Sequence, residues 1–439
     1  MSDLHRRALK SGKTVSKKAQ SKISSRTTSA ANSRAASRNV SQHGSEDEDG
    51  NLSDGTNWSV NSIDDMLSAD AQDDGTEAWK QELNDRIEEI IDRKRSSVQG
   101  REQTLAIYIH LLMSRYTYDE IIKKLSELLP ALLKSVKAES SEKETCLALK
   151  AMALTFITAP SETAYDAICQ PLKRCYSDSE SLLVKVAAIH TLGAIVIYAG
   201  AGDSEIENIM DDFLEIVESD GSSIEAVDSG EVVAAACEEW GFLATYVEDV
   251  QDQTEAAMDA FVEQLESNDA SVQVAAGENI ALLYEKSYTE READDEVVSD
   301  AEDEEGFPID ARYIKRYEVY TQSDQLKHTL SQLANVSSRS VAKKDRKTLH
   351  ANFSDILNTV EHPSRGPRYQ KAIDQETGRR YGSRMTVRIH KSGVMTIDRW
   401  WKLHRLQALR RILGCGFVVH YQSNEVVFET LPIMIAADN

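Results

Sequence analysis

The stretch "SLLVKVAAIHTLGAI", residues 181–195, decides the fold. It is one of a set. "REQTLAIYIHLL" at 101–112, "ETCLALKAMALTF" at 144–156, "EVVAAACEEWGFLA" at 231–244 and "ASVQVAAGENIALLY" at 270–284 share its character of a mostly apolar run with small residues at its centre. Aligning the small residues gives Ala106, Ala148, Ala188, Ala236 and Ala276 as markers, at steps of 42, 40, 48 and 40 residues. A period near 40–47 with two or three helices per unit is the mark of armadillo and HEAT arrays. Alanine at a marker lets a buried inner helix approach its neighbours closely, while the amphipathic segments between, such as 204–218 and 250–266, cover the outside. In the second of these, Met258, Phe261, Val262 and Leu265 fall at i, i+3, i+4 and i+7. Asn268-Asp269-Ala270, Asp203-Ser204 and Pro160-Ser161 supply helix starts. A generic helical bundle is the alternative, but five units at a near-constant step favour a solenoid.

The bulk numbers agree. The chain has 439 residues, long enough for such an array, with 6% aromatic residues and 7 prolines, a balance that favours helix over strand. Its five cysteines, Cys146, Cys169, Cys175, Cys237 and Cys415, form no CxxC pair, which points to buried thiols in a reducing compartment. No apolar run reaches the length of a membrane span, and no apolar segment follows the N-terminus as a secretion signal would require. Net charge is −23, but it is partitioned: residues 1–40 carry +9, residues 41–310 carry −43 and residues 311–439 carry +11.

These features set the expected organisation. Residues 1–75 form a disordered tail, basic and then acidic, too poor in apolar side chains to offset its ordering entropy. Its basic arm serves nuclear import or nucleic-acid contact, or is a solvated tail without a partner; a transit peptide fits less well for want of an amphipathic face. Ser45 and Ser299 precede acidic residues and are candidate phosphorylation sites. The helical array runs over 76–288. An acidic linker, 289–309, ends it, with ten acids and one arginine in residues 289–306. A helical connector, 310–362, follows. In it Leu349, Phe353, Ile356, Leu357 and Val360 make an apolar stripe, while Lys343, Lys344, Arg346 and Lys347 crowd the first turns, where the helix dipole disfavours cations. His362-Pro363 stops that helix, and 363–383, with "GRRYGSR", reads as a flexible basic loop.

Residues 384–439 read as a small α+β domain. Met385, Val387 and Ile389 alternate onto one face of a strand, Lys391-Ser392-Gly393 turns the chain, and a second strand follows. Asp398 caps a helix that runs to Leu413 and closes at Gly414. "GFVVHY", 416–421, reads as a third strand, and "SNEVVFETL" as a final helix or strand. On a helical wheel, Trp401, Leu406, Ala408, Leu409, Ile412 and Leu413 gather as a core face. Arg399, Trp400, His404, Arg410 and Arg411 lie opposite, while Lys402 and Arg405 must snorkel. An exposed indole among arginines suits a polyanion: arginine pairs with phosphate and tryptophan stacks on a base. With Lys343, Lys344, Arg346, Lys347, Arg379, Arg380 and Arg384 it forms the candidate nucleic-acid-binding set, which the family resemblance below directs to RNA. A solvated charged face is the alternative.

"FSDILNTVE" at 353–361 and "VMTIDRWWKLHRLQALRRILGCGFVVHYQSNEVVFE" at 394–429 resemble the C-terminal part of the interferon-related developmental regulator family. The matching residues are Phe353, Asp355, Ile356, Leu357, Asp398, Trp400, Gly414, His420, Asn424 and Glu425. The resemblance implies an armadillo-like fold without enzymatic activity. It also implies transcriptional co-regulation, or association with translationally inactive ribosomes, the basic C-terminal module then facing ribosomal RNA.

An enzyme is not expected, since no GxxxxGK[ST], GxSxG, HExxH or GxGxxG occurs. His190 reads as a satisfied core histidine, and Cys169 and Cys175 as core thiols. No cofactor, metal, small-molecule substrate or membrane is expected as a partner. Two binding classes remain. One is a ribosome-associated factor, cytoplasmic, whose partners are rRNA and ribosomal proteins. The other is a nuclear co-regulator scaffold whose solenoid holds protein partners on its concave face. The fold class expected is mainly α: an armadillo/HEAT-like solenoid of about five repeats followed by a small α+β domain.

Overall fold

In the computed structural model, residues 78–93, 96–290, 313–335, 343–373, 380–389 and 394–432 are described, without the side chains of 343–348 and 380. The N-terminal tail, Ser45, Ser299, Arg379, the turn Lys391-Ser392-Gly393 and most of the acidic segment lie outside them, as do the side chains of Lys343, Lys344, Arg346, Lys347 and Arg380.

Helices alternate between outer and inner positions. They run α1 (Ala78–Ile91), α2 (Val98–Ser114), a short α3 (Tyr118–Ile121), α4 (Leu125–Ala138), α5 (Glu142–Thr158), α6 (Tyr165–Asp178) and α7 (Leu182–Tyr198). There follow α8 (Asp203–Glu218), α9 (Gly230–Ala244), α10 (Gln251–Gln264) and α11 (Ala270–Lys286). Inner helices α2, α5, α7, α9 and α11 stack each on the next. Ala148, Ala188, Ala236 and Ala276 are fully enclosed, as their marker role requires, while Ala106 on the terminal repeat is partly buried. Outer helices α6 and α8 are two-faced: the Cys169, Leu172 and Tyr176 side of one and the Ile209, Phe213 and Val217 side of the other face the core.

Local sequence sets where the inner helices begin. The side chains of Ser97, Ser141 and Ser181 accept hydrogen bonds from the backbone N–H of Gly100, Glu144 and Val184, at 3.0, 3.0 and 3.3 Å. Each satisfies a donor that the first helical turn leaves without a partner. The same serines tie repeat to repeat: Ser141 donates to Glu102 and Ser181 to Glu142, both at 2.6 Å. Asp269 caps α11 through Ser271 N at 2.7 Å. The helix expected from Pro160-Ser161 starts later, at Tyr165; the stretch before it is tied to the end of α7, with Ser161 N donating to Tyr198 O at 3.1 Å and Tyr165 N to Ala199 O at 2.9 Å.

The acidic segment does not end the array. Strands β1 (Tyr288–Glu290) and β2 (Tyr313–Lys315) pair antiparallel, Thr289 opposite Ile314, and bring the chain back to the stack on either side of 291–312. Beyond them α12 (Ser323–Ala334) and α13 (Lys343–Glu361) form one more outer and inner pair. Phe353 and Ile356 of α13 pack into the space left by Gly277 on α11, where a Cβ would sit 2.7 Å from Ile356 Cδ1. The predicted stripe is therefore a repeat interface: Phe353, Ile356 and Val360 are buried, Leu349 and Leu357 partly so.

The remainder departs further from expectation. Residues 363–383, expected as a loop, contain a two-stranded ribbon of β3 (Tyr369–Ile373) and β4 (Arg380–Ser383). Strands β5 (Thr386–Arg388) and β6 (Val394–Thr396) pair as expected, with Val387 and Met395 facing inward. Helix α14 (Trp400–Leu413) ends at Gly414, but "GFVVHY" is not a strand: α15 (Phe417–Ser423) and α16 (Glu425–Thr430) follow as short helices. Asn424 caps α16, accepting from Val426 N at 3.1 Å, and a helix satisfies the backbone here where no neighbouring strand is available. The apolar side chains of 400–431 belong to the same continuous core as the array.

Candidate functional site

The C-terminal helices lie across the inner helices, from α11 at one end to α2 at the other, and each inner helix supplies a polar group to them. At the start, the Glu285 carboxylate of α11 accepts from Trp400 N at 2.8 Å and Trp401 N at 3.1 Å. It is an N-cap supplied from another helix, favoured by the helix dipole. Asp398, the expected cap, pairs with Lys402 instead, and the N-cap residue Arg399 makes no side-chain cap.

One turn on, Gln407 donates to Glu278 of α11 at 3.0 Å, and His404 Nε2 lies 3.4 Å from Glu278 O. The His404 ring fits because Gly241 of α9 leaves it room; a Cβ there would be 2.5 Å from the imidazole. Next, Arg411 donates to Glu239 Oε1 of α9 through Nη2 at 2.8 Å and Nε at 3.1 Å, with Glu238 at 3.4 Å. His190 of α7 meets the same Glu239 oxygen at 2.8 Å. Lys150 of α5 donates to the Arg411 carbonyl. His420 Nε2 meets Leu112 O at 2.7 Å, and Asn424 Nδ2 donates to Ile157 O at 2.9 Å. Both acceptors are carbonyls in the last turns of α2 and α5, where a helix leaves C=O groups without partners. This accounts physically for two of the family-like positions, His420 and Asn424.

Three candidate RNA contacts are thereby corrected. Trp400, expected outside, is 2% exposed, and its Nε1 donates to Thr359 Oγ1 of α13 at 2.8 Å. His404 is buried, and burial pushes its imidazole down to about 4, so it is neutral at physiological pH. Arg411 retains 10% of its side-chain exposure and is consumed by the two glutamates. The wheel failed because it assumes one buried side, whereas α14 packs on inner helices α5, α9 and α11 and on α15 as well, with Arg405 turned onto Tyr246 and the Thr430 carbonyl of α16. Nor does Arg405 snorkel. Its guanidinium lies 3.9 Å from the Tyr246 ring centroid and donates to Thr245 O at 2.8 Å and Thr430 O at 3.0 Å.

The remaining candidates are placed differently. Arg410 and Arg384 are exposed, and so is Arg388, which the sequence did not single out. Arg399 is half-buried, its guanidinium 4.5 Å from the Tyr313 ring centroid. Lys371 stands exposed on the ribbon. Sequence reasoning also missed Lys150, Glu239, Glu278 and Glu285. The signal was present: Lys150, His190, Glu238 and Glu278 each sit two residues after a marker alanine, polar groups at one repeat position in buried helices.

His190 is a core histidine, and Cys169, Cys175 and Cys237 are buried thiols. Burial pushes the Cys175 thiol up to about 12. No group of three or more metal-ligating side chains occurs among the described residues, and none of their helices is long and apolar enough to cross a membrane.

Charge burial gives this interface a pH signature. Burial pushes Glu278 up to about 7, against the opposing hydrogen bond from Gln407. The folded state therefore holds this proton more tightly than the unfolded chain, and the stability that results is lost as pH rises from the ordinary carboxylate range through about 7. Glu278→Gln, which needs no proton, should gain on the wild type by about 3 kcal/mol between pH 4.5 and pH 8. Urea melts across that range test this; a difference that stays constant with pH would show that Glu278 binds its proton no more tightly in the fold than in the unfolded chain.

Comparison with known proteins gives the family. The family model described as interferon-related developmental regulator matches residues 44–361. An uncharacterized protein of Schizosaccharomyces pombe is 28% identical, over 83% of this chain and 78% of its own length. Interferon-related developmental regulator 1 of Homo sapiens is 23% identical over 82% of this chain and 74% of its own, and that of Mus musculus 22% over 82% and 75%. With most of its array inside that match, this chain belongs to the interferon-related developmental regulator family.

Proposed function

We propose that the chain is a non-enzymatic ribosome-associated factor that binds translationally inactive ribosomes through its basic C-terminal region and represses or preserves them, mainly in the cytoplasm. One observation carries this: the surface is split by charge. Between Lys185 and Lys286 there is neither a lysine nor an arginine, while 23 carboxylates fall in that interval. Only a few of these turn inward to hold α14; Asp203, Asp211, Glu215, Glu218, Asp252, Glu255, Asp259, Glu263 and Glu266 are exposed on α8, α10 and the turn after it. Exposed Lys371, Arg384, Arg388 and Arg410 stand on the C-terminal region, near in sequence to the basic start of α13 and to Arg379 and Arg380. Like charge keeps the acidic face off phosphate, so RNA must approach from the basic side. The acidic face is left for basic ribosomal proteins.

A scaffold that holds peptides along its inner helices is less well supported, because residues 398–431 of the same chain cover that face. The test is sedimentation of a lysate through sucrose. The chain should travel with ribosomes at low salt and leave them as salt rises, as counterion release dictates. The triple reversal Lys371→Glu, Arg384→Glu and Arg388→Glu should abolish cosedimentation at low salt without lowering thermal stability. Absence of the wild type from ribosomal fractions would refute the proposal.

A further inference from the structure

We infer that the ribbon β3–β4 binds unpaired RNA by stacking a base on Tyr381, an inference that deepens the proposed function and rests on it for the identity of the polyanion. The ribbon is irregular at one place. Gln370 pairs with Gly382 and Ile373 with Arg380, so Lys371 and Ala372 together oppose Tyr381 alone. This is a bulge, and it bends and twists the strand that carries the extra residue. Opposite it, Gly382 adopts φ +70°, a left-handed conformation open to glycine at little cost. Together the two breaks undo the strict alternation of side chains. Arg384, three residues after Tyr381, can then lie over its ring, 4.7 Å from the centroid, while donating to Gln370 Oε1 at 3.0 Å.

The consequence is an aromatic ring with a cation on one face and about half of the residue's surface open to solvent. Tyr381 remains 48% exposed and Ile373 47%. Gln370, Lys371, Ala372 and Ile373 are all exposed. In the neighbouring hairpin β5–β6, by contrast, Val387 and Met395 turn into the core. The outer half of β3 therefore has no face that folding requires, and a two-stranded ribbon has little stability of its own to justify it. No carboxylate occurs on the described residues of β3 or β4, whereas Arg384 lies over the ring and Lys371, in the bulge that opposes Tyr381, is exposed. Aromatic rings interleaved with cations are how sequence-tolerant single-strand binders work: cations track phosphate and the ring takes a base face. A duplex offers no such face, since its bases cover one another and the A-form major groove is too narrow for the ribbon's side chains. Unpaired RNA is therefore the partner that uses both the charge and the ring.

The experiment uses the full chain and fluorescence anisotropy with a labelled oligouridine of about twelve nucleotides, a length in the range single-strand sites span, and a duplex RNA of equal charge. Tyr381→Ala should weaken oligouridine binding about tenfold at fixed salt, the effect expected for one lost stack. Tyr381→Leu, which keeps bulk but has no ring, should weaken it equally, Tyr381→Trp should preserve it, and duplex binding should be the same for all. Unchanged oligouridine binding in Tyr381→Ala, or an equal loss on duplex, overturns the stacking. The two proposals separate cleanly. Ribosome cosedimentation with an oligouridine affinity insensitive to Tyr381 removes the base stack alone. A tenfold oligouridine effect without ribosome cosedimentation supports the stack and removes the ribosome as its source of RNA.

Discussion

Glu239→Ala should destabilise the protein by about 3–5 kcal/mol, because it strands a buried guanidinium. Glu239 is 3% exposed and its Oε1 serves both Arg411 and His190. Burial alone would raise its carboxyl, but the Arg411 charge and the His190 contact hold it below the usual range. The pair therefore contributes stability above the ordinary carboxylate range and loses it as pH falls, opposite in sign to Glu278. Removing the carboxylate leaves Arg411 desolvated beside Glu238 alone, with Lys150 still on the Arg411 carbonyl. Relaxation is constrained, since Gly193 packs directly on the Glu239 carboxylate. The double variant Glu239→Leu with Arg411→Met should recover much of the loss, because a well-packed apolar pair can replace a buried ion pair at little cost. Urea midpoints for the two single variants and the double variant give the coupling. A loss below about 1 kcal/mol for Glu239→Ala would place the pair in a water-accessible setting, where such pairs matter little.

Trp400→Ala should cost about 3–5 kcal/mol as well, for a different reason. Its indole fills the junction of α11, α13 and α14, and its N–H is the donor that Thr359 Oγ1 accepts. That hydroxyl in turn donates to Arg365 O at 2.8 Å. Truncation leaves a cavity and removes one partner from a buried polar chain. Trp400→Phe should cost less, since it keeps most of the volume. The folded fraction of either variant should bind RNA as the wild type does, measured by anisotropy at a temperature well below the melt. A Trp400→Ala protein that melts like the wild type but no longer binds RNA would return the indole to the surface and contradict its buried placement.

Neither residue's role was legible in the sequence, whereas the array around them was. Repeat spacing and marker alanines declare the array, because a helix that must stack on two neighbours needs small residues at the same place in each unit; the capping serines Ser97, Ser141 and Ser181 were not singled out in the sequence. Trp401 is also read correctly as a core-packed residue, since Ile412 and Leu413 share its side. The ribbon was not legible: Pro, Gly and Arg in 363–383 read as a loop, and a bulged pair with no buried strand has no period-2 signal to find. Nor was the continuation of the array through α12 and α13, because 24 residues from Thr289 to Arg312 interrupt the period.

By itself, then, the sequence determined a helical repeat protein with acidic and basic parts, because periodicity and charge are local properties that survive without coordinates. Only the tertiary structure decided what "DRWWKLHRLQALRRILGCG", residues 398–416, is for. A helical wheel sorts side chains by angle about one axis and assumes water on one side. On α14 Arg410 alone is fully exposed: inner helices meet the helix from α5 to α11, and their carboxylates are the counterions of its arginine and the cap of its first turn. Most of its basicity is spent inside the molecule; Arg410 remains exposed on α14 itself, while Lys371 stands on the ribbon β3–β4, Arg384 just after it and Arg388 on β5.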